Sequence, residues 1–137
     1  MICINAILGN ENRTTKVNKL DWSAVTKTSQ QSLFDFYCKL IAFRKSSSAV
    51  KSDNIQIFHH DPDHHILAYH RWSIEPNDSV IVVFNFSTID QQSYPIMNWP
   101  KLGQWQEVIN EMQIQIDENQ FKIDLKSYES KIFVFKS

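Results

Sequence analysis

The sequence predicts a mainly β protein, an antiparallel β-sandwich of about seven or eight strands preceded by one α-helix. Three observations lead there. Beyond residue 53 apolar residues recur with period two, as in Ile55/Ile57, Ile114/Ile116, Phe121/Ile123/Leu125 and Ile132/Val134, which sets them on one face of extended backbone. Turn residues break this pattern at intervals of roughly 8 to 12 residues, the rhythm of a sandwich of short strands. Upstream, Ser29 to Arg44 follows a helical period instead, with Leu33, Phe36, Tyr37, Leu40 and Ile41 on one face and neither Pro nor Gly inside.

Taken in order, residues 1–28 are expected to be irregular. They open on an apolar octet and continue through Gly9-Asn10-Glu11-Asn12 and Thr14-Thr15, interrupted by apolar residues such as Val17, Leu20 and Trp22. Residues 29–46 form the helix, capped by Ser29, with Arg44 and Lys45 suiting the negative end of its dipole and Ser46-Ser47-Ser48 ending it. Residues 53–137 form the all-β part, and the whole is expected to be one compact domain. Its strands are Asn54–His59, Ile66–Trp72, Val80–Phe86, Tyr94–Asn98, Trp105–Ile109, Gln113–Ile116, Phe121–Leu125 and Lys131–Phe135. Turns at Asp61-Pro62-Asp63, Glu75-Pro76-Asn77-Asp78, Pro100 to Gly103 and Asp117-Glu118-Asn119 separate them. The unbroken run Val80 to Phe84 predicts a central strand buried on both faces.

A length of 137 residues suits a single domain, and 42% hydrophobic with 21% charged residues is ordinary for a folded chain. Fourteen basic and fifteen acidic residues are scattered along the sequence, so no basic footprint for nucleic acid or an anionic membrane stands out. The opening octet breaks at Asn5 and has no basic flank, which argues against a signal segment or membrane span. Cys3 and Cys38 are too few for a disulfide scaffold and suit a reducing cytoplasm; Cys38 reads as a small buried hydrophobe on the helix.

Chemistry-bearing residues are sparse. His59-His60-Asp61-Pro62-Asp63-His64-His65 packs four imidazoles and two carboxylates into seven residues, a donor set that zinc or nickel could use. Neighbours on a strand point to opposite faces, however, and Asp-Pro-Asp is a good turn. The cluster is therefore expected to be a solvated hairpin tip, with His59, His60, His64 and His65 capturing metal only adventitiously and no functional metal or cofactor. No Ser or Cys sits in a recognisable nucleophile elbow, and the acids fall mostly at turn, capping or solvent positions. Two glycines in the whole chain leave no phosphate-cradling loop. The aromatic residues offer a binding surface, because an exposed ring stacks on the apolar face of a sugar. Trp105 reads as core, while Trp72 at a strand end, Trp99 beside Pro100 and neighbouring Tyr94 are the candidate platform.

Several segments, in order, resemble the C-terminal part of the α-amylase superfamily, glycoside hydrolase family 13, enzymes built on a (β/α)8 barrel followed by an all-β domain. Leu20-Asp21-Trp22 is similar to the segment after the last barrel strand, and Phe36 to Lys45 to the helix that closes the barrel. Ile66 to Arg71, Val80 to Ser87, Tyr94 to Ile96, Gly103 to Asn110 and Leu125 to Phe135 resemble successive strands of the β domain. The resemblance covers about residues 18–137 and is closest in feel to 1,4-α-glucan branching enzymes and α-amylases. It also suggests that residues 1–8 and Gly9-Asn10-Glu11 are a remnant of the last barrel strand and its turn.

The superfamily's catalytic acids lie on barrel strands upstream of everything matched. The resemblance thus implies a non-catalytic β domain of an α-glucan-acting enzyme, with a bracing or interaction role and no catalytic residue of its own. The alternative is a carbohydrate-binding module for α-glucan that uses Trp72, Tyr94 and Trp99. Expected partners are a catalytic (β/α)8 barrel domain or a second copy of the chain. The helix face must cover the sheet or remain as an apolar patch.

Overall fold

The computed structural model describes residues 28–136. The expectations for residues 1–27, the barrel remnant and Cys3 included, lie outside them. The chain divides between Lys45 and Ser46 into two units, where its length had suggested one compact domain.

The first unit contributes the helix α1, Thr28–Ser46, with Arg44 and Lys45 in its last turn as expected. It starts one residue early, so Ser29 lies within the first turn and not at the cap. Leu33, Phe36, Tyr37 and Ile41 are exposed, Leu40 and Cys38 half-buried. No helix among the described residues is long and apolar enough to cross a membrane.

The second unit begins with a single turn, α2 (Ser48–Lys51), which the sequence reading missed. Four residues carry no periodic signal, and what holds them is tertiary. The Asp78 carboxylate accepts from Ser47 Oγ (2.7 Å) and from the Ala49 N–H (2.9 Å), while Ser47 Oγ accepts from the Val50 N–H. Burial pushes Asp78 up, yet these donors outweigh it and hold the carboxyl below its ordinary value.

Eight strands follow: β1 (Ile55–Asp61), β2 (Ile66–Ser73), β3 (Asp78–Asn85), β4 (Gln91–Met97), β5 (Gly103–Glu107), β6 (Gln113–Ile116), β7 (Gln120–Leu125) and β8 (Ser130–Lys136). Each predicted strand is present, with ends shifted by a few residues. All pairings are antiparallel. Six strands form one sheet in the order β1-β2-β3-β8-β5-β6, and β4 and β7 form a second, two-stranded sheet.

β3 sits between β2 and β8, and its run Val80 to Val83 is buried on both faces, as the unbroken apolar pattern predicts. Between the sheets Ile66, Ala68, Ile81, Val83, Trp105, Ile116 and Phe133 meet Tyr94, Ile96, Ile123 and Leu125. Trp105 is at the centre of this core, its Nε1 donating to the Lys101 carbonyl (3.1 Å). β5 ends at Glu107 and not at Ile109, because the buried Glu107 carboxylate turns back to accept from the N–H groups of Ile109 and Asn110. At the other end of β5, Gly103 has φ +126°, and a Cβ there would stand 2.9 Å from the Phe135 ring.

Candidate functional site

The histidine-rich hairpin is where the structure departs most from expectation. β1 carries a bulge between Ile57 and His59: Ile57 pairs with Tyr69, but His59 pairs with Ala68. The extra residue, Phe58, turns the rest of the strand over. Without it His59 would oppose Leu67 on the outer face; with it, His59 and Asp61 face the inner layer and His60 faces out. The alternation argument therefore holds for His59 and His60, which point apart. Among the described residues no group of three or more His, Cys, Asp or Glu side chains could hold a metal ion.

Inward-facing His59 and Asp61 clamp the two sheets together. Tyr94 of β4 donates its hydroxyl to Asp61 Oδ2 (2.6 Å), and that same hydroxyl lies 3.0 Å from His59 Nε2. On the far side of the ring, His59 Nδ1 accepts from the Met97 N–H (3.1 Å). The two contacts fix the tautomer: Nδ1 must be bare and Nε2 must carry the hydrogen. Asp61 also accepts from the N–H groups of Asp63 and His64 and from His64 Nδ1 (2.7 Å). The hydrogen bonds from Tyr94 and the His64 N–H hold the Asp61 carboxyl well below the usual range, and burial lowers His59. The hairpin tip is exposed as expected, but its first half is a polar clasp between layers.

The proposed sugar platform is not assembled. Trp99 is only 3% exposed and sits edge-on to Phe58, Trp105, Phe121 and Phe133. Tyr94 is 9% exposed, its hydroxyl taken by the clasp. A ring whose faces are covered by other rings cannot stack on a sugar, so the expectation for these two residues is corrected. Trp72 alone stands near the surface, half-buried and stacked on His70 (centroids 4.9 Å apart, 24° between planes) in an open groove of ≈ 430 Å³ with Ile74, Asn77, Pro100 and Lys101. Sequence spacing could not separate these cases, since an aromatic beside a proline marks a loop whether that loop is outside or folded back over the core.

Six of the acidic residues tie down backbone. Asp61, Asp78, Asp90, Glu107, Asp124 and Glu129 each accept from at least one backbone N–H. For Asp61, Glu107 and Glu129 the donor lies two or three residues away, the turn role the sequence suggests, whereas for Asp78, Asp90 and Asp124 it lies 29 to 37 residues away.

The outer face of the six-stranded sheet was not singled out by the sequence reading. Strand register places Ile55 and Ile57 beside Leu67, Tyr69, Phe84, Ile132 and Val134 on the side away from β4 and β7. Ile55 is 57% and Ile57 59% exposed, and the others are half-buried. An antiparallel sheet with one free face ordinarily alternates apolar and polar. Here the outer face is apolar across β1, β2, β3 and β8 apart from polar residues such as His60, Arg71 and Ser130, a signal present in the runs Ile66-Leu67-Ala68 and Lys131 to Phe135, and polar across β5 and β6, where Gln104, Gln106, Gln113 and Gln115 share it.

Residues 57–134, more than half of the chain, match the family described as the α-amylase C-terminal all-β domain. The chain belongs to that family. An α-amylase C-terminal domain is a non-catalytic part of a glycoside hydrolase, in keeping with the sequence resemblance. Solved structures agree on the fold. The chain is similar to part of an AmyP variant in complex with maltotriose, at 13% identity and TM-score 0.70, covering 87% of this chain and 24% of that one. It is likewise similar to the α-amylase from Geobacillus thermoleovorans complexed with acarbose, at 11% identity and TM-score 0.66, covering 86% and 25%. For the Anoxybacillus α-amylase the identity is 12%, the TM-score 0.62 and the coverage 75% and 22%. The chain thus spans about a quarter of the length of these structures. No curated protein sequence matches it.

Proposed function

We propose that this chain serves as the non-catalytic β domain of an α-glucan-acting enzyme and braces a catalytic (β/α)8 barrel through the outer face of its six-stranded sheet. The observation that carries the reading is the apolar part of that outer face, over β1, β2, β3 and β8, with Ile55 and Ile57 more than half exposed at its edge. Such a face is costly to leave in water, at about 25 cal/mol per Å² of apolar area, and marks a site of contact. Family membership and the quarter-length match support a barrel as what covers it. The six carboxylates tied to backbone N–H groups fit a chain whose fold, and not its acids, is its contribution.

The test adds the full chain to an α-amylase barrel from which the C-terminal domain has been removed. A higher melting temperature for the barrel and co-elution in gel filtration are expected, both lost with Ile55→Lys and Ile57→Lys together. Failure of the chain to associate, or association that survives the double substitution, counts against bracing through this face. Concentration-dependent self-association abolished by the same pair would instead make a second copy the occupant.

A further inference from the structure

We propose a carbohydrate-binding groove at the end of the sandwich where the β1–β2 hairpin, the β3–β4 loop and the β7–β8 turn meet, with Tyr128 and Phe86 as its stacking surfaces. The groove is open, of ≈ 400 Å³. It includes neither Ile55 nor Ile57, and Phe86 lies with one ring face stacked on Phe84 of the outer sheet face (centroids 5.2 Å apart, 13° between planes).

The first argument is that the loops are fixed before any ligand arrives. Asn85, buried at the end of β3, spends its whole amide on them: Nδ2 donates to the Ile89 and Lys126 carbonyls (2.8 and 2.9 Å), and Oδ1 accepts from the Ser87 N–H and hydroxyl. The Phe86 N–H donates to the His65 carbonyl, the Tyr128 N–H to the Ser87 carbonyl, and the Ser127 N–H to Asp90. All three loops are therefore tied to one another, which lowers the ordering cost of binding.

The second argument is the exposure of the rings. Tyr128 is 69% and Phe86 56% exposed, although each adjoins backbone locked in place. Tyr128 holds φ +56°, a conformation unfavourable for a bulky residue, and presents a large ring to solvent at that cost. The third argument is the chemistry between the rings. Thr88 and Gln91 supply hydroxyl and amide groups, and His64, whose Nδ1 is held by Asp61, offers Nε2 as an acceptor in the neutral imidazole. Asp63 and His65 complete the polar wall, and neither Lys nor Arg lines the groove. Flat rings flanked by hydroxyl, amide, imidazole and carboxylate groups suit a chain of sugar rings, with apolar faces on the aromatics and hydroxyls on the polar groups.

The experiment titrates the full chain, followed by amide NMR shifts, with maltoheptaose and in parallel with cellohexaose. Saturable shifts at Phe86, Thr88 and Tyr128 are expected, with a dissociation constant of about 0.1–10 mM for at least one sugar; the two arms separate α- from β-linked chains. Tyr128→Gly removes the ring while relieving the backbone, so the protein stays folded and binding weakens about tenfold or more; Tyr128→Phe keeps the ring and most of the affinity. Absence of shifts with both sugars, shifts confined to the Trp72 groove, or undiminished binding by Tyr128→Gly would each overturn the proposal.

Discussion

His59 shows how one side chain comes to depend on pH. Its two ring nitrogens are committed, one donating towards Tyr94 and one accepting from the Met97 N–H, so a second proton has no acceptor and displaces a hydrogen bond. Burial lowers its pKa below the ordinary 6.5, with Asp61 only partly offsetting this; burial and then Lys101 lower His70 in the same direction. Because the folded pKa values lie under the unfolded one, the unfolded chain takes up more protons as pH falls below 6.5, and stability is lost on acidification. The urea midpoint is therefore expected to fall between about pH 7.5 and pH 5.5, and His59→Gln to make that fall smaller. A midpoint flat across this range in the parent chain would contradict the tautomer assignment. Gly103 is a second residue whose role is local. Its φ of +126° and the Phe135 ring 2.9 Å from any added Cβ predict that Gly103→Ala costs roughly 1–3 kcal/mol in chemical unfolding.

At the level of elements, period and turn chemistry located every strand of the sheets, because the alternation of Ile123 and Leu125 with Lys122 and Asp124 is itself the consequence of one face being buried. What escaped were features decided by a partner distant in sequence. α2 exists because Asp78, 29 residues beyond Ala49, accepts from the start of the turn. Asp78→Ala is expected to cost about 1–3 kcal/mol and to increase hydrogen exchange at Ala49 and Val50, since it strands the Ser47 hydroxyl and the Ala49 N–H. A substitution without effect on either measurement would mean that α2 is held by its own cap alone. The β1 bulge is a similar case: nothing in Ile57-Phe58-His59 announces the extra residue, yet it decides that His59 and Asp61 face Tyr94.

For the whole molecule, the proposed bracing role rests on the apolar part of the outer sheet face over β1, β2, β3 and β8. Ile55→Lys with Ile57→Lys is expected to leave urea stability within about 0.5 kcal/mol, because both side chains are already mostly in water, while removing association with a barrel. A large loss of stability would show instead that these residues are part of the fold. The sequence by itself determined the helix, the strands, the central place of β3 and, through the resemblance of its segments, the family. These are written in local periodicity and in short runs of residues, and neither requires knowing what lies opposite. Only the tertiary structure decided which aromatics are core and which are surface. Trp99 lies among four rings and Tyr94 in the clasp, while Tyr128 and Phe86 are exposed. The physical reason is that a loop aromatic is exposed or buried according to how its loop folds back, and that is settled by hydrogen bonds such as those of Asn85 to Ile89 and Lys126, between positions the sequence keeps far apart.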